Sequence, residues 1–229
     1  MPSLGWGGTR NRRDRTSHYL KDEQVRSLVE AALYAGAIGL PFNRHTIIHL
    51  GKLGIDDADA AKAIGRYLKL MRERIVRGGG RTAFLWVREN GDSGIGTHVH
   101  ILWHLPESQS LGSATRRWAN HIARIGYQKG AVRTRRIAGR VDGVGMAPRL
   151  YRLNLANVLR YVLKGATQSV AREWGLARYR PGGCVQGKRC GWSENIGVAA
   201  RERAPDYVRL GRLALKEWLL ARDVAVDAQ

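Results

Sequence analysis

An α+β fold is predicted, an antiparallel sheet with helices packed on one face and extra helices toward both ends of the chain. Three observations predict it. Two β-rich runs, RTAFLWVRE and THVHILWHL, are separated only by NGDSGIG, a stretch of turn-forming residues that makes an antiparallel hairpin. An earlier β-rich run, FNRHTIIHL, precedes the hairpin, with a long helical pattern between them. After the hairpin come a helix, a basic strand-like run and another helix. The resulting order, β-α-β-β-α-β plus a helix, fits a ferredoxin-like, or RRM-like, sheet.

Taken in order, residues 1–16 are rich in Gly, Arg and Asn and are expected to form a flexible basic arm. Leu20, Val25, Leu28, Val29 and Leu33 recur at helical spacing up to the glycines at 36 and 39. In FNRHTIIHL, Thr46, Ile48 and Leu50 fall on one side of a strand, and Ile47 and His49 on the other. DDADAAKAIGRYLKLMRERIVR opens with acids suited to a helix N-terminus, carries Ile64, Tyr67, Leu68, Met71 and Ile75 on one face, and is ended by GGG at 78–80. Ser113 to Ile125 reads as a helix, GAVRTRRIAGRVDG as a strand, and Tyr151 to Lys164 as a second helix. A core over 17–166 is expected. Residues 167–229, a Gly- and Arg-rich loop and a helix from about Pro205 to Arg222, belong to the same domain or form an appendage.

The chain has 229 residues with 44% hydrophobic content, enough to bury one sizeable core. Lys and Arg number 39 against 19 acids, a formal charge of +20, which points to a polyanionic partner because each phosphate contact releases condensed counterions. Nucleic acid is the expected partner. A membrane is not, since no helix pairs a wide apolar face with a dense basic one. Ala31 to Phe42, the longest nearly uncharged apolar segment, is too short to span a bilayer. MPSLGWGGTRNRRDR has no apolar run before a cleavage site, so a cytoplasmic protein is expected. Cys184 and Cys190 read as free thiols.

The stretch GTHVHILWHLP carries three histidines at alternating positions. Side chains alternate across a strand, so His98, His100 and His104 face one way, while Val99, Ile101 and Trp103 form the core side. His98 and His100 lie roughly 6.6 Å apart at Cα, close enough to converge on one ion, whereas His104 is about 13 Å beyond His100. Closing the hairpin brings Glu89 opposite or nearly opposite His98, which makes it the geometric choice for a third ligand. Two imidazoles and a carboxylate suit Mn or Mg completed by a phosphate oxygen. An HxH alone also describes half-exposed strand residues with surface hydrogen bonds.

In NLANVLRYVLKGA, Asn157, Tyr161 and Lys164 share one helical face opposite Leu155, Val158, Leu159 and Val162. Together with the histidine pair, the chain here resembles the HUH endonuclease superfamily, specifically the single-tyrosine rolling-circle replication initiators of plasmids and phages. Three ordered elements over about residues 43–166 carry the resemblance: HTIIHL as a loose first motif, His98-Val99-His100, and Tyr161-Val162-Leu163-Lys164. No second tyrosine stands at 157 or 165, which departs from the two-tyrosine branch.

The resemblance implies a metal-dependent nicking and joining enzyme. A divalent ion, Mg or Mn, is held by His98, His100 and Glu89; Tyr161 attacks a phosphate of single-stranded DNA at a replication origin and forms a 5′-phosphotyrosine link. Lys164 lowers the cost of ionising the tyrosine or neutralises charge at phosphorus. Arg133, Arg135, Arg136, Lys188 and Arg189 are candidate DNA contacts, and Trp86, Trp103 or Tyr127 candidate base-stacking surfaces. The chain shows no room for a helicase domain, so a host helicase is expected in trans. GGCVQGKR, residues 182–189, mimics a P-loop but has Arg189 where Ser or Thr is needed for magnesium, so an ATPase is not expected. Two other functions remain open: a single-tyrosine transposase, which shares the chemistry, and a basic nucleic-acid-binding module without catalysis. A zinc site joining the cysteines to histidines is a further alternative, and His49 reads as structural.

Overall fold

The computed structural model describes residues 15–90, 96–141, 146–176, 182–204, 207 and 210–220. The expected arm at 1–16 lies outside the described residues except for its end, as does most of the hairpin loop. Thr16–Ser17 (β1) pairs with Val185–Gln186, a two-residue strand near the other end of the chain. Asp22–Ala37 (α1) starts on two acids, and the Gln24 side chain accepts from the Lys21 N–H at 2.9 Å, a capping contact. Arg44–His49 (β2), Asp57–Arg77 (α2), Phe84–Asn90 (β3) and Thr97–Trp103 (β4) follow within a few residues of the expected bounds. Ala114–Ile122 (α3), Val132–Arg136 (β5) and Pro148–Val162 (α4) complete the series. α4 begins on Pro148, whose missing N–H costs nothing in a first turn, and it stops two residues short of the expected Lys164.

The chain continues through Gln168–Glu173 (α5), Val185–Gln186 (β6), Cys190–Trp192 (β7), Val198–Glu202 (α6) and Arg212–Leu220 (α7). The main sheet has five antiparallel strands in the order β5-β2-β4-β3-β7. β2 and β3 therefore run in one direction on either side of β4. The Gly- and Arg-rich stretch read as loop supplies β7 at the sheet edge, where Val87 pairs with Cys190 and Leu85 with Trp192. Close approach explains part of its glycine content. Gly183 has φ +64°, and a Cβ there would collide with the Asn90 carbonyl.

Helices cover both faces of the sheet rather than the expected one. Ile48, Trp86, Val99, Ile101 and Trp103 pack against α2 and α3 through Ile64, Tyr67, Met71 and Trp118. Leu85, Val87 and Leu102 pack on the other side against Leu28 of α1, Leu155, Leu159 and Val162 of α4, Trp174 and Leu215 of α7. The cause is that β3 and β4 carry large apolar residues on both faces, Leu85, Val87 and Leu102 on one and Trp86, Val99, Ile101 and Trp103 on the other, so each face needs a cover. Trp86 and Trp103 are consequently core residues on the face turned away from the histidines, with the Trp103 Nε1–H donating to Thr46 at 2.9 Å, and neither is open to a base. Tyr127 is partly exposed and stacks under Arg116.

Arg189 is also internal. At 3% exposure it threads between segments, donating to Ser17 Oγ at 2.9 Å, to the Ser17 and Gly183 carbonyls and to the Gly182 carbonyl at 3.2 Å. With its donors occupied by the fold, it is a structural clamp and not a DNA contact. Arg88, fully buried, does the same with Asp57, whose carboxylate also accepts from Thr97 Oγ1 and the Gln186 N–H. These two arginines tie β6 and the β6–β7 turn to β3.

Candidate metal centre and its tyrosine

The β3–β4 register sets Glu89 directly opposite His98, and Val87 opposite His100. Both histidines and the carboxylate project from the sheet face that α4 crosses. One ligand atom from each of Glu89, His98 and His100 lies within 4.8 Å of the other two, a group able to hold a metal ion. Glu89 Oε2 accepts from His98 Nε2–H at 3.2 Å and from the Lys164 ammonium, while His100 Nε2 stands 3.6 Å away, beyond hydrogen-bonding distance. Glu89 Oε1 and His100 Nε2 are buried with no hydrogen-bond partner among the described residues. A buried carboxylate oxygen and a buried imidazole nitrogen without hydrogen-bond partners, in a group this close together, are atoms that a divalent cation would satisfy. The residues present therefore fit a mixed N,O site.

The electrostatics leave Glu89 and His100 in their metal-ready charge states. Burial by itself raises the Glu89 carboxyl, but polar contacts with His100 and His98 and the charges of His100 and Lys164 outweigh it and hold the group below the usual carboxylate range. Burial pushes His100 down to about 4, against the pull of Glu89 in the other direction. At neutral pH the cluster thus holds an ionised carboxylate and a neutral His100, the protonation states ligation needs.

Tyr161, the penultimate residue of α4, is 47% exposed, and its ring meets that of His100 edge-on at 5.3 Å between centroids. Lys164 lies in the turn beyond the helix, so it does not share a helical face with Asn157 and Tyr161 as expected. Its Nζ sits 4.3 Å from the Tyr161 ring centroid and bonds Glu89. Next to it, Gly165 permits the close approach of another segment: a Cβ there would stand 3.1 Å from the Gly182 backbone.

One residue without an assigned role in the sequence is brought into the centre. His45 of β2 places Nε2 3.1 Å from His100 Nδ1, and its ring is 6.4 Å from that of Tyr161. Burial, then the charges of His100, Arg135 and Lys164, push it down to about 3. Strand parity puts His45 with Ile47 and His49 on one face, but only the pairing of β2 beside β4 shows which histidine it meets. His49 flanks His98 at 5.7 Å between rings, and His104 donates from Nδ1 to the Pro41 carbonyl at 2.8 Å; neither belongs to the cluster.

Of the basic residues, Arg133, Arg135 and Arg136 are exposed on edge strand β5. Arg133 pairs with Ile47 and Arg135 with His45, which puts both on the histidine face, while Arg136 pairs with Arg44 and faces the other way. Lys188 is exposed but lies over the Trp86 ring, 5.7 Å from its centroid. Cys184 is exposed and Cys190 buried, its thiol pushed up to about 11 by burial; among the described residues no metal-binding group includes either. Among the described residues no helix is long and apolar enough to cross a membrane. Compared with known protein families, with curated proteins and with solved structures, the chain matches none of them.

Proposed function

We propose that this chain is a metal-dependent endonuclease and strand transferase that nicks and rejoins single-stranded DNA at a replication origin, initiating rolling-circle replication of a plasmid or phage. The observation that carries the reading is the convergence of Tyr161, from α4, on the Glu89–His98–His100 group of the β3–β4 hairpin, with Lys164 touching both. The strand order, with β2 and β3 parallel on either side of β4, supports a ferredoxin-like sheet of the HUH type.

In this reading Mg or Mn bound by Glu89, His98 and His100 supplies Lewis-acid polarisation of the scissile phosphate. The exposed Tyr161 hydroxyl attacks phosphorus: an Oη–P bond forms and the P–O3′ bond breaks. The phenol gives up its proton and the departing 3′ oxygen takes one up, so a 5′-phosphotyrosine and a free 3′-hydroxyl result. Lys164 stands where its ammonium can offset charge on the phenolate or on phosphorus. Arg133 and Arg135 border the site and would track the backbone of the bound strand. The protein would act in the cytoplasm and draw on a host helicase in trans.

The test is incubation with single-stranded oligonucleotides tiled across the origin region of the replicon carrying the gene, with Mn or Mg. A protein–DNA adduct that resists denaturation and maps to Tyr161 is expected. An adduct that persists in Tyr161→Phe would remove the nucleophile assignment. If the wild type never cleaved, and His98→Ala and His100→Ala bound DNA normally, a binding module without catalysis would replace this reading.

A further inference from the structure

We propose that His45 is a positioning residue that sets the tautomer of His100, so that His100 presents a lone pair, rather than an N–H, to the metal cluster. The inference rests on the metal-site reading above. His100 has two ring nitrogens in different surroundings: Nε2 faces Glu89 at 3.6 Å and is buried without a hydrogen bond, and Nδ1 faces His45 Nε2 at 3.1 Å. A neutral imidazole carries one N–H and one lone pair.

If Nε2 is to ligate, the proton must sit on Nδ1, and that N–H needs an acceptor in a buried place. His45 Nε2 is the acceptor in reach, which in turn puts the His45 proton on its Nδ1. The opposite assignment, His45 donating to His100 Nδ1, would place an N–H on His100 Nε2 and block ligation. No other acceptor for His100 Nδ1 is seen among the described residues. His45 thus does for His100 what a carboxylate or carbonyl commonly does for a metal-bound imidazole: it fixes the ring's orientation and makes the free nitrogen more basic. Among the described residues His98 has no such partner, and it spends its Nε2–H on Glu89 at 3.2 Å, so it must turn or change tautomer to ligate from Nε2. His100 is the better-prepared of the two ligands.

Two variants separate the acceptor from the packing. His45→Phe keeps a planar ring without an acceptor, and His45→Gln places an amide oxygen near the position of Nε2. Mn(II) affinity of the DNA-free protein, followed by the electron paramagnetic resonance signal of free Mn(II), is expected to fall about 10–100-fold in His45→Phe and to recover to within about threefold in His45→Gln. Wild-type affinity in a folded His45→Phe would overturn the positioning role while leaving the metal centre standing. No Mn(II) binding by the wild type would overturn both. Nitrogen-15 spectroscopy of the metal-free wild type needs no variant: His100 is expected protonated on Nδ1, and protonation on Nε2 would overturn the proposal.

Discussion

Tyr161 stands edge-on to His100, ring centroids 5.3 Å apart with planes at 85°, where α4 crosses the face of the β3–β4 hairpin. Because the tyrosine is half exposed while His100 is buried, the phenol forms the outer wall of a site whose floor is the cluster. Removing the hydroxyl deletes no packing. Tyr161→Phe is therefore expected to unfold within about 0.5 kcal/mol of the wild type, to bind single-stranded DNA as well, and to form no covalent adduct. Denaturant titration, fluorescence anisotropy and a denaturing gel check the three parts.

Metal binding should stabilise the fold through the same hairpin. A cation at 100 times its dissociation constant adds about 2.7 kcal/mol, read as an upward shift of the thermal midpoint. Glu89→Gln removes the carboxylate shared by His98 and Lys164 and is expected to abolish most of that shift. Equal Mn(II) stabilisation of wild type and Glu89→Gln would mean the ion binds elsewhere.

Acid should destabilise the metal-free chain well above the carboxylate range. Folded His100 and His45 titrate at about 4 and about 3, below the ordinary imidazole value. Between about 4 and 6.5 the unfolded chain binds more protons, so stability rises with pH there and is lost as pH falls. Glu89, Lys164 and Arg135 face the pair, and the depressed Glu89 adds a loss in the same direction below its ordinary value. A decline on the order of 2–4 kcal/mol from pH 7 to 5 is expected in urea titrations, with a shallower slope for His45→Phe. A flat profile would show that these imidazoles titrate normally.

Neighbouring basic residues should separate cleanly into stability and binding. Arg189→Ala leaves several buried carbonyls unpaired and is expected to cost about 3 kcal/mol or more, with little change in the salt dependence of DNA affinity. Arg135→Ala should do the reverse, reducing the slope of log K against log salt by about 0.7 if it meets one phosphate. Anisotropy at several salt concentrations, paired with denaturant curves, distinguishes them.

The pairing of Glu89 with His98 is legible in the sequence because it is local: the two lie nine positions apart on adjacent β-rich runs, with alternation putting both on one face. The period of 3.6 in α2 and of 2 in the hairpin likewise announce themselves in the residues. β7 does not, since a Cys-Gly-Trp segment becomes a strand only by completing the edge of β3. Lys188 and Arg189 are alike in sequence, and only the packing exposes one and buries the other.

By itself the sequence determined the hairpin, its histidine face and the helix bearing Tyr161, and it offered Glu89 as the geometric choice of third ligand, which the strand register then set opposite His98. Tertiary structure alone decided that helices cover both sheet faces, that His45 backs His100 across 55 positions, and that Lys164 reaches Glu89 across 75. The division has a physical cause. Short-range periodicity and a short connecting sequence constrain neighbours along the chain, whereas contacts between distant segments depend on strand order and on where a helix ends, which arise only when the whole sheet is assembled.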